Sequence, residues 1–158
     1  MVDVFSNVAS HHSHKFLAQA DTKIVNMKLV LRGHHLLCLK GFQGYGYNDD
    51  FVENMKFINS KRKDNITTIS LTNSADDICS SCPNLKNNLC ENEIQNSIIK
   101  KMDREVLKKI DSKKEYNSVE LFNKIDQIFN TQESVSKICF DCKWHEKCLF
   151  YQKLSNNR

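Results

Sequence analysis

Two similar cysteine triplets constrain this chain more than any other feature. Cys79, Cys82 and Cys90 lie in DDICSSCPNLKNNLC, and Cys139, Cys142 and Cys148 lie in SKICFDCKWHEKC. At C-x2-C spacing a tight turn brings two thiolates onto one centre, and a third cysteine a short loop away adds a third ligand. One such pair is a weak signal. Two, each with its third cysteine, read as metal ligation rather than as buried inert thiols.

Each triplet is one ligand short of the usual four. Cys38, which closes RGHHLLC, could complete a four-thiolate set with Cys79, Cys82 and Cys90. The plainer reading makes it a small core hydrophobe beside Leu37 and Leu39. His145 turns the second run into Cys139-x2-Cys142-x2-His145-x2-Cys148, a local four-ligand set, although an exposed turn histidine explains it equally well. Convergence of both triplets on one centre, with some cysteines as spectators, is the remaining arrangement. Thiolate sites suit both zinc and iron–sulphur clusters. Pro83, the single proline, follows Cys82 directly. Cys-Pro steps recur in ferredoxin cluster motifs, and proline stiffens the ligand loop.

The bulk properties suit one globular unit. The 158 residues are 40% hydrophobic and 27% charged, enough for a real core. No apolar run approaches the roughly 20 residues that span a bilayer, and no secretory signal is visible. A cytoplasmic location is therefore expected, where thiols stay reduced, and an odd cysteine count argues against a paired disulfide framework. The net charge of +4 is modest. Lysines and Arg104 between Lys100 and Lys114 alternate with Asp103, Glu105 and Asp111, the pattern of a solvated helix face, which disfavours nucleic acid as a partner.

Read in order, residues 1–26 form an N-terminal extension, poorly ordered or partly helical, carrying His11, His12 and His14, and Met27 reads as a more natural start. A cysteine-rich metal-binding domain follows over 27–152, with fraying over 153–158. Met27 to Leu31 reads as a strand and His34 to Lys40 as a short helix burying Leu36, Leu37 and Leu39. Gly41, Gly44 and Gly46 make a permissive loop. Asn48 caps a helix over 49–62, carrying Phe51, Val52, Met55 and Ile58 at helical spacing. Ile66 to Leu71 reads as a strand. Helices follow from Ile94 to Ile110, from a Ser118 cap, and from a Thr131 cap to Ile138. The expected class is α+β: a mostly helical single domain with a small two- or three-stranded sheet and two cysteine-rich metal-binding loops.

Arg32, His34 and His35 sit at the first strand-to-helix junction, where exposed amides and imidazoles could bind an anionic ligand or cofactor. The alternative is that one histidine packs or caps while the other is solvated, since adjacent residues on a helix do not share a face. Trp144 reads as an anchor under the second cysteine turn. Asp76 and Asp77 read as turn or capping residues, with acid–base chemistry the sharper alternative.

RGHHLLC, GFQGYGYNDDFVENM, DDICSSCPNL with Cys90, and the late C-x2-C with Trp144 and Cys148 resemble the domain-of-unknown-function family numbered 1284. The resemblance runs from about Met27 to Cys148, with Lys143 where a second Cys-Pro proline would be expected. It implies binding of an iron–sulphur cluster. The cofactor expected is a cluster of the [4Fe–4S] type, with zinc the alternative that thiolate ligands also suit. The function expected is a cluster protein for electron transfer or for a structural or sensing role, with an unknown redox or protein partner and no membrane. The alternatives are a zinc-stabilised interaction module without turnover and, last, a thiol–disulphide oxidoreductase, which leaves the third cysteine of each triplet unexplained. No serine nucleophile motif, phosphate loop or dinucleotide fingerprint is visible, so enzymatic activity is left open.

Overall fold

The structure is a computed structural model that describes residues 25–157. The extension expected over 1–26 lies, except for its last two residues, outside the described residues. In chain order the elements are β1 (Lys28–Arg32), α1 (Gly33–Gly41), α2 (Asp49–Ser60), β2 (Thr68–Thr72), β3 (Leu85–Lys86), β4 (Leu89–Cys90), α3 (Glu93–Leu107), β5 (Glu115–Asn117), α4 (Ser118–Ile128), α5 (Gln132–Cys139) and α6 (Leu149–Asn156). The class is α+β, mostly helical, with two small sheets. No described helix is long and apolar enough to cross a membrane.

In the larger sheet β2 is central. β1 pairs with it in parallel, Lys28 opposite Thr68 through Arg32 opposite Thr72, and β5 pairs with it antiparallel. Alternation along β1 buries Leu29 and Leu31 and leaves Val30 exposed, as a half-covered strand requires. The covered side meets α1 and α4, where Leu36, Leu39, Leu121 and Ile125 are fully buried. β5 is too short and polar to have been expected from its sequence.

The helix starts follow side-chain chemistry. Asn48 accepts from the Phe51 amide, and Thr131 and Ser134 form a reciprocal cap. The cap of α4 is Asn117, not Ser118: its side chain accepts from the amides of Val119 and Glu120. Ser118 is buried and donates its hydroxyl to the Lys61 carbonyl. β3 and β4 form a hairpin whose two-residue turn, Asn87 and Asn88, has φ of 49° and 61°. Asparagine tolerates that left-handed backbone, and such turns match the twist of paired strands.

Two expectations about faces are corrected. On α3 the apolar residues four apart, Ile94, Ile98, Met102 and Val106, which would be expected to share a core face, do not all point inward: Ile94 is 78% exposed and Ile98 38% exposed. The buried line is Asn96, Asp103 and Val106, continued past the helix by Ile110. Asp103 was expected on a solvated face and is instead fully buried. At the other end α6 continues to Asn156 with Leu154 buried, so the chain does not fray at 154.

Candidate metal centre

Helix α1 organises the site. Leu36, Leu37 and Leu39 face the core, while His35 and Cys38, three residues apart and so on one face, line a cavity of about 170 Å³. All seven cysteines line that cavity, and all are unpaired thiols. Its rim is aromatic: Trp144 meets Tyr47 edge-on with ring centroids 5.4 Å apart, and Tyr47 meets Phe51 in turn. The anchoring role read for Trp144 is thus exercised on the glycine loop.

Both C-x2-C pairs fold the same way. The Cys82 amide donates to the Cys79 carbonyl at 2.9 Å, and the Cys142 amide to the Cys139 carbonyl at 3.1 Å. These tight turns leave the sulphurs free of the backbone ladder. In the second triplet, backbone amides also approach sulphur: Trp144 N lies 3.4 Å from Cys142 Sγ, and Tyr151 N lies 3.5 Å from Cys148 Sγ. In the first, the Cys90 amide is held by Asn96 Oδ1 at 3.2 Å. Glu91 and Lys143, 3.1 Å apart, tie the two cysteine loops together across the surface. Lys143 therefore does in this chain something a proline there could not.

Helix α1 packs on α6, and Cys148 Sγ sits against Gly41, one helical turn on from Cys38, so the second triplet lies on the side of Cys38. Burial pushes its thiol well above the ordinary range, and the next contributions come from Cys142, Cys139 and Cys148. The set with Cys79, Cys82 and Cys90 is not the one its neighbours favour. Cys148 reaches this group because Gly41 has no side chain: a Cβ there would stand 2.1 Å from Cys148 Sγ. His145, the sequence candidate for that fourth position, is engaged elsewhere. Its Nε2 bonds the Cys139 carbonyl, and its ring stacks on Tyr151 with centroids 4.4 Å apart.

The strand-to-helix junction does receive an anion, but the anion belongs to the chain. Asp103 accepts from Arg32 Nε at 2.9 Å and Nη2 at 2.8 Å, and from the His34 amide at 3.1 Å. Both Arg32 nitrogens reach Oδ2, while the His34 amide and His34 Nδ1, the latter at 2.6 Å, share Oδ1. Arg32 and Asp103 are almost wholly buried. The anionic-ligand role read for Arg32 and His34 is thereby corrected: both are committed to Asp103. Sequence reasoning missed Asp103, although its spacing from Val106 and Ile110, three and seven residues, placed it on their face.

Asp76 is the second buried hub. Oδ1 accepts from the amides of Ile78 and Cys79 at 3.0 and 2.9 Å, and Oδ2 accepts from the Arg32 amide at 2.7 Å. His35 Nδ1 lies 2.7 Å from the same Oδ2. Burial alone would raise this carboxyl; His35 and the amides outweigh it and hold it well below the carboxylate range. The turn-forming role expected of Asp76 is the one observed.

Burial also raises the thiols. Cys79 is pushed up to about 12 by burial and Asp76, and Cys139 to about 12 by burial, Cys142 and Cys148. Thiol–disulphide enzymes need the opposite, an attacking thiol with depressed pKa. His34 responds to burial too, falling from 6.5 to about 4, with His35 adding to the effect. Asp103 by itself favours the cation, but Arg32 already matches its charge, so the ring is neutral and donates its Nδ1–H.

A pH dependence follows. The unfolded chain binds a proton at this histidine near 6.5 and the folded chain only near 4. The stability contributed is complete above the higher value and lost as pH falls towards the lower. In urea unfolding, the wild type should lose roughly 2 kcal/mol between about pH 7 and pH 5 relative to His34→Gln in the same metal state. Parallel curves for the two proteins would show that the buried ring does not titrate this way.

Residues 46–148 match the family described as "Protein of unknown function (DUF1284)". The chain belongs to the DUF1284 family. The match holds both cysteine triplets and the hubs Asp76 and Asp103, but it begins at Gly46. β1 and α1, with His35 and Cys38, precede it, so the resemblance read from Met27 is wider than the matched region. No match was found among curated proteins or among solved structures. For this DUF1284 protein, function is therefore argued from its own side chains.

Proposed function

We propose that this DUF1284 protein holds iron–sulphur in the cysteine-lined cavity, through Cys38, Cys139, Cys142 and Cys148 on one side and Cys79, Cys82 and Cys90 on the other. The observation that carries the reading is the convergence of all seven thiols, from α1 and two distant loops, on one cavity. Buried thiols that repel one another are stable as thiolates only around a compensating cation.

Spacing favours a cluster over a single ion. Four sulphurs around one zinc at about 2.3 Å lie roughly 3.8 Å apart. Among the described residues, the trio of donor atoms within 4.8 Å of one another is His35, Asp76 and Cys79, and no three sulphurs meet that limit. The second set is thus electrostatically coupled yet wider than one ion needs. The amides directed at Cys142 and Cys148 suit thiolate ligands, whose hydrogen bonds tune cluster potentials. When bound, such a cluster supplies reversible one-electron transfer. The chain's own contribution is to fix the sulphurs and to cover them with aromatic side chains at the rim. Its partner would be a redox protein in the cytoplasm.

Anaerobic purification followed by iron, sulphide and zinc analysis tests the proposal. The expected protein is brown, absorbs in the visible, and contains iron and acid-labile sulphide in comparable amounts. Stoichiometric zinc without iron would instead make it a zinc-stabilised interaction module.

A further inference from the structure

The four-cysteine set containing Cys38 leaves Cys79, Cys82 and Cys90 with three thiols for four positions. His35 stands next to the first of them, Cys79. One of its ring nitrogens, a carboxylate oxygen of Asp76 and Cys79 Sγ lie within 4.8 Å of one another. Taken alone, that trio looks like a site for one ion. Asp76 argues otherwise, because its two oxygens already face four nitrogens: the amides of Ile78, Cys79 and Arg32 and the His35 ring. A carboxylate so engaged is a poor ligand and a good orienter.

We propose that His35, through Nε2, is the fourth ligand of the centre held by Cys79, Cys82 and Cys90, with Asp76 as its positioning residue. The assignment rests on the metal-binding reading above. Histidine ligands commonly donate their second ring N–H to a carboxylate, which fixes the tautomer and turns the other nitrogen to the metal. Here Asp76 takes Nδ1 at 2.7 Å and leaves Nε2 free on a ring that lines the cavity. The same carboxylate holds the Cys79 amide at 2.9 Å, so one group sets both ligands. Helix periodicity completes the account. His35 and Cys38 are one turn apart, so a single face of α1 supplies the missing ligand to each triplet. His34, whose Nδ1 is likewise taken by a carboxylate, is not in the trio of donor atoms that gathers at Cys79, whereas His35 is.

The test is pulsed electron paramagnetic resonance on anaerobically purified, dithionite-reduced full-length chain, grown with 14N- or 15N-histidine. The wild type should show a directly coordinated nitrogen whose coupling changes with the isotope. His35→Cys should keep the iron content of the wild type and lose that coupling. His35→Ala should lose both the coupling and up to half of the iron. Full iron in the wild type with no isotope-sensitive nitrogen, or a coupling that survives in His35→Cys, overturns the ligand assignment and leaves the cluster reading standing. A wild type without iron overturns both. The wild-type spectrum decides the matter even if the alanine variant fails to fold.

Discussion

Replacing Asp103 with alanine should destabilise the fold by about 3–5 kcal/mol, the usual cost of stranding one member of a buried ion pair. Arg32 is 1% exposed, and both of its bonded nitrogens reach the same Asp103 oxygen. Without that carboxylate a guanidinium would remain buried beside only the Asn73 carbonyl and Cys79, at 3.4 and 4.0 Å. The His34 amide and ring would lose their acceptor as well. Asp103→Asn, which keeps the shape and removes the charge, should recover only part of the loss. Chemical denaturation of wild type and both variants in one metal state measures it. A cost below about 1 kcal/mol, the range of exposed pairs, would contradict the hub described here.

Gly41→Ala has the second large effect, and its sign is informative. Gly41 ends α1 with ordinary backbone angles, so helix propensity alone predicts a gain of roughly 0.5–1 kcal/mol. Packing predicts the reverse. The new methyl would stand 2.1 Å from Cys148 Sγ and 3.2 Å from the Phe150 amide nitrogen, too close for either to stay in place. Cys148 must move away from Cys38, Cys139 and Cys142. The variant should therefore lose the iron of that set, about half of the total if each triplet anchors a similar centre, as Cys148→Ser should. A variant that is more stable and fully loaded would show that the sulphur does not sit under Gly41.

Much of the fold was legible because local chemistry agrees with tertiary structure. Asn48 and Thr131 cap as their positions predict, and the apolar run of α1 buries the three leucines expected. The failures have specific causes. Asp103 lies in a run of alternating charges that resembles a solvated face, and only its phase against Val106 distinguishes it. The β3–β4 hairpin is two residues per strand, too short for alternation to show, and only Asn87-Asn88 signals it. The cysteine triplets were plain from spacing, but the allocation of Cys38 was not. Sequence distance favours Cys79, whereas α1 packs on α6 and carries Cys38 to Cys148's side. His145 misled for the opposite reason: its regular spacing suggests a ligand, while its Nε2 is taken by the Cys139 carbonyl.

X-ray absorption at the iron and zinc edges, on anaerobically purified chain, tests most directly whether these sulphurs enclose a cluster. The account predicts iron surrounded by sulphur, with a second shell of iron neighbours and a small nitrogen contribution removed by His35→Cys. Zinc in a lone sulphur shell with no metal neighbour, or no bound metal at either edge, would contradict it.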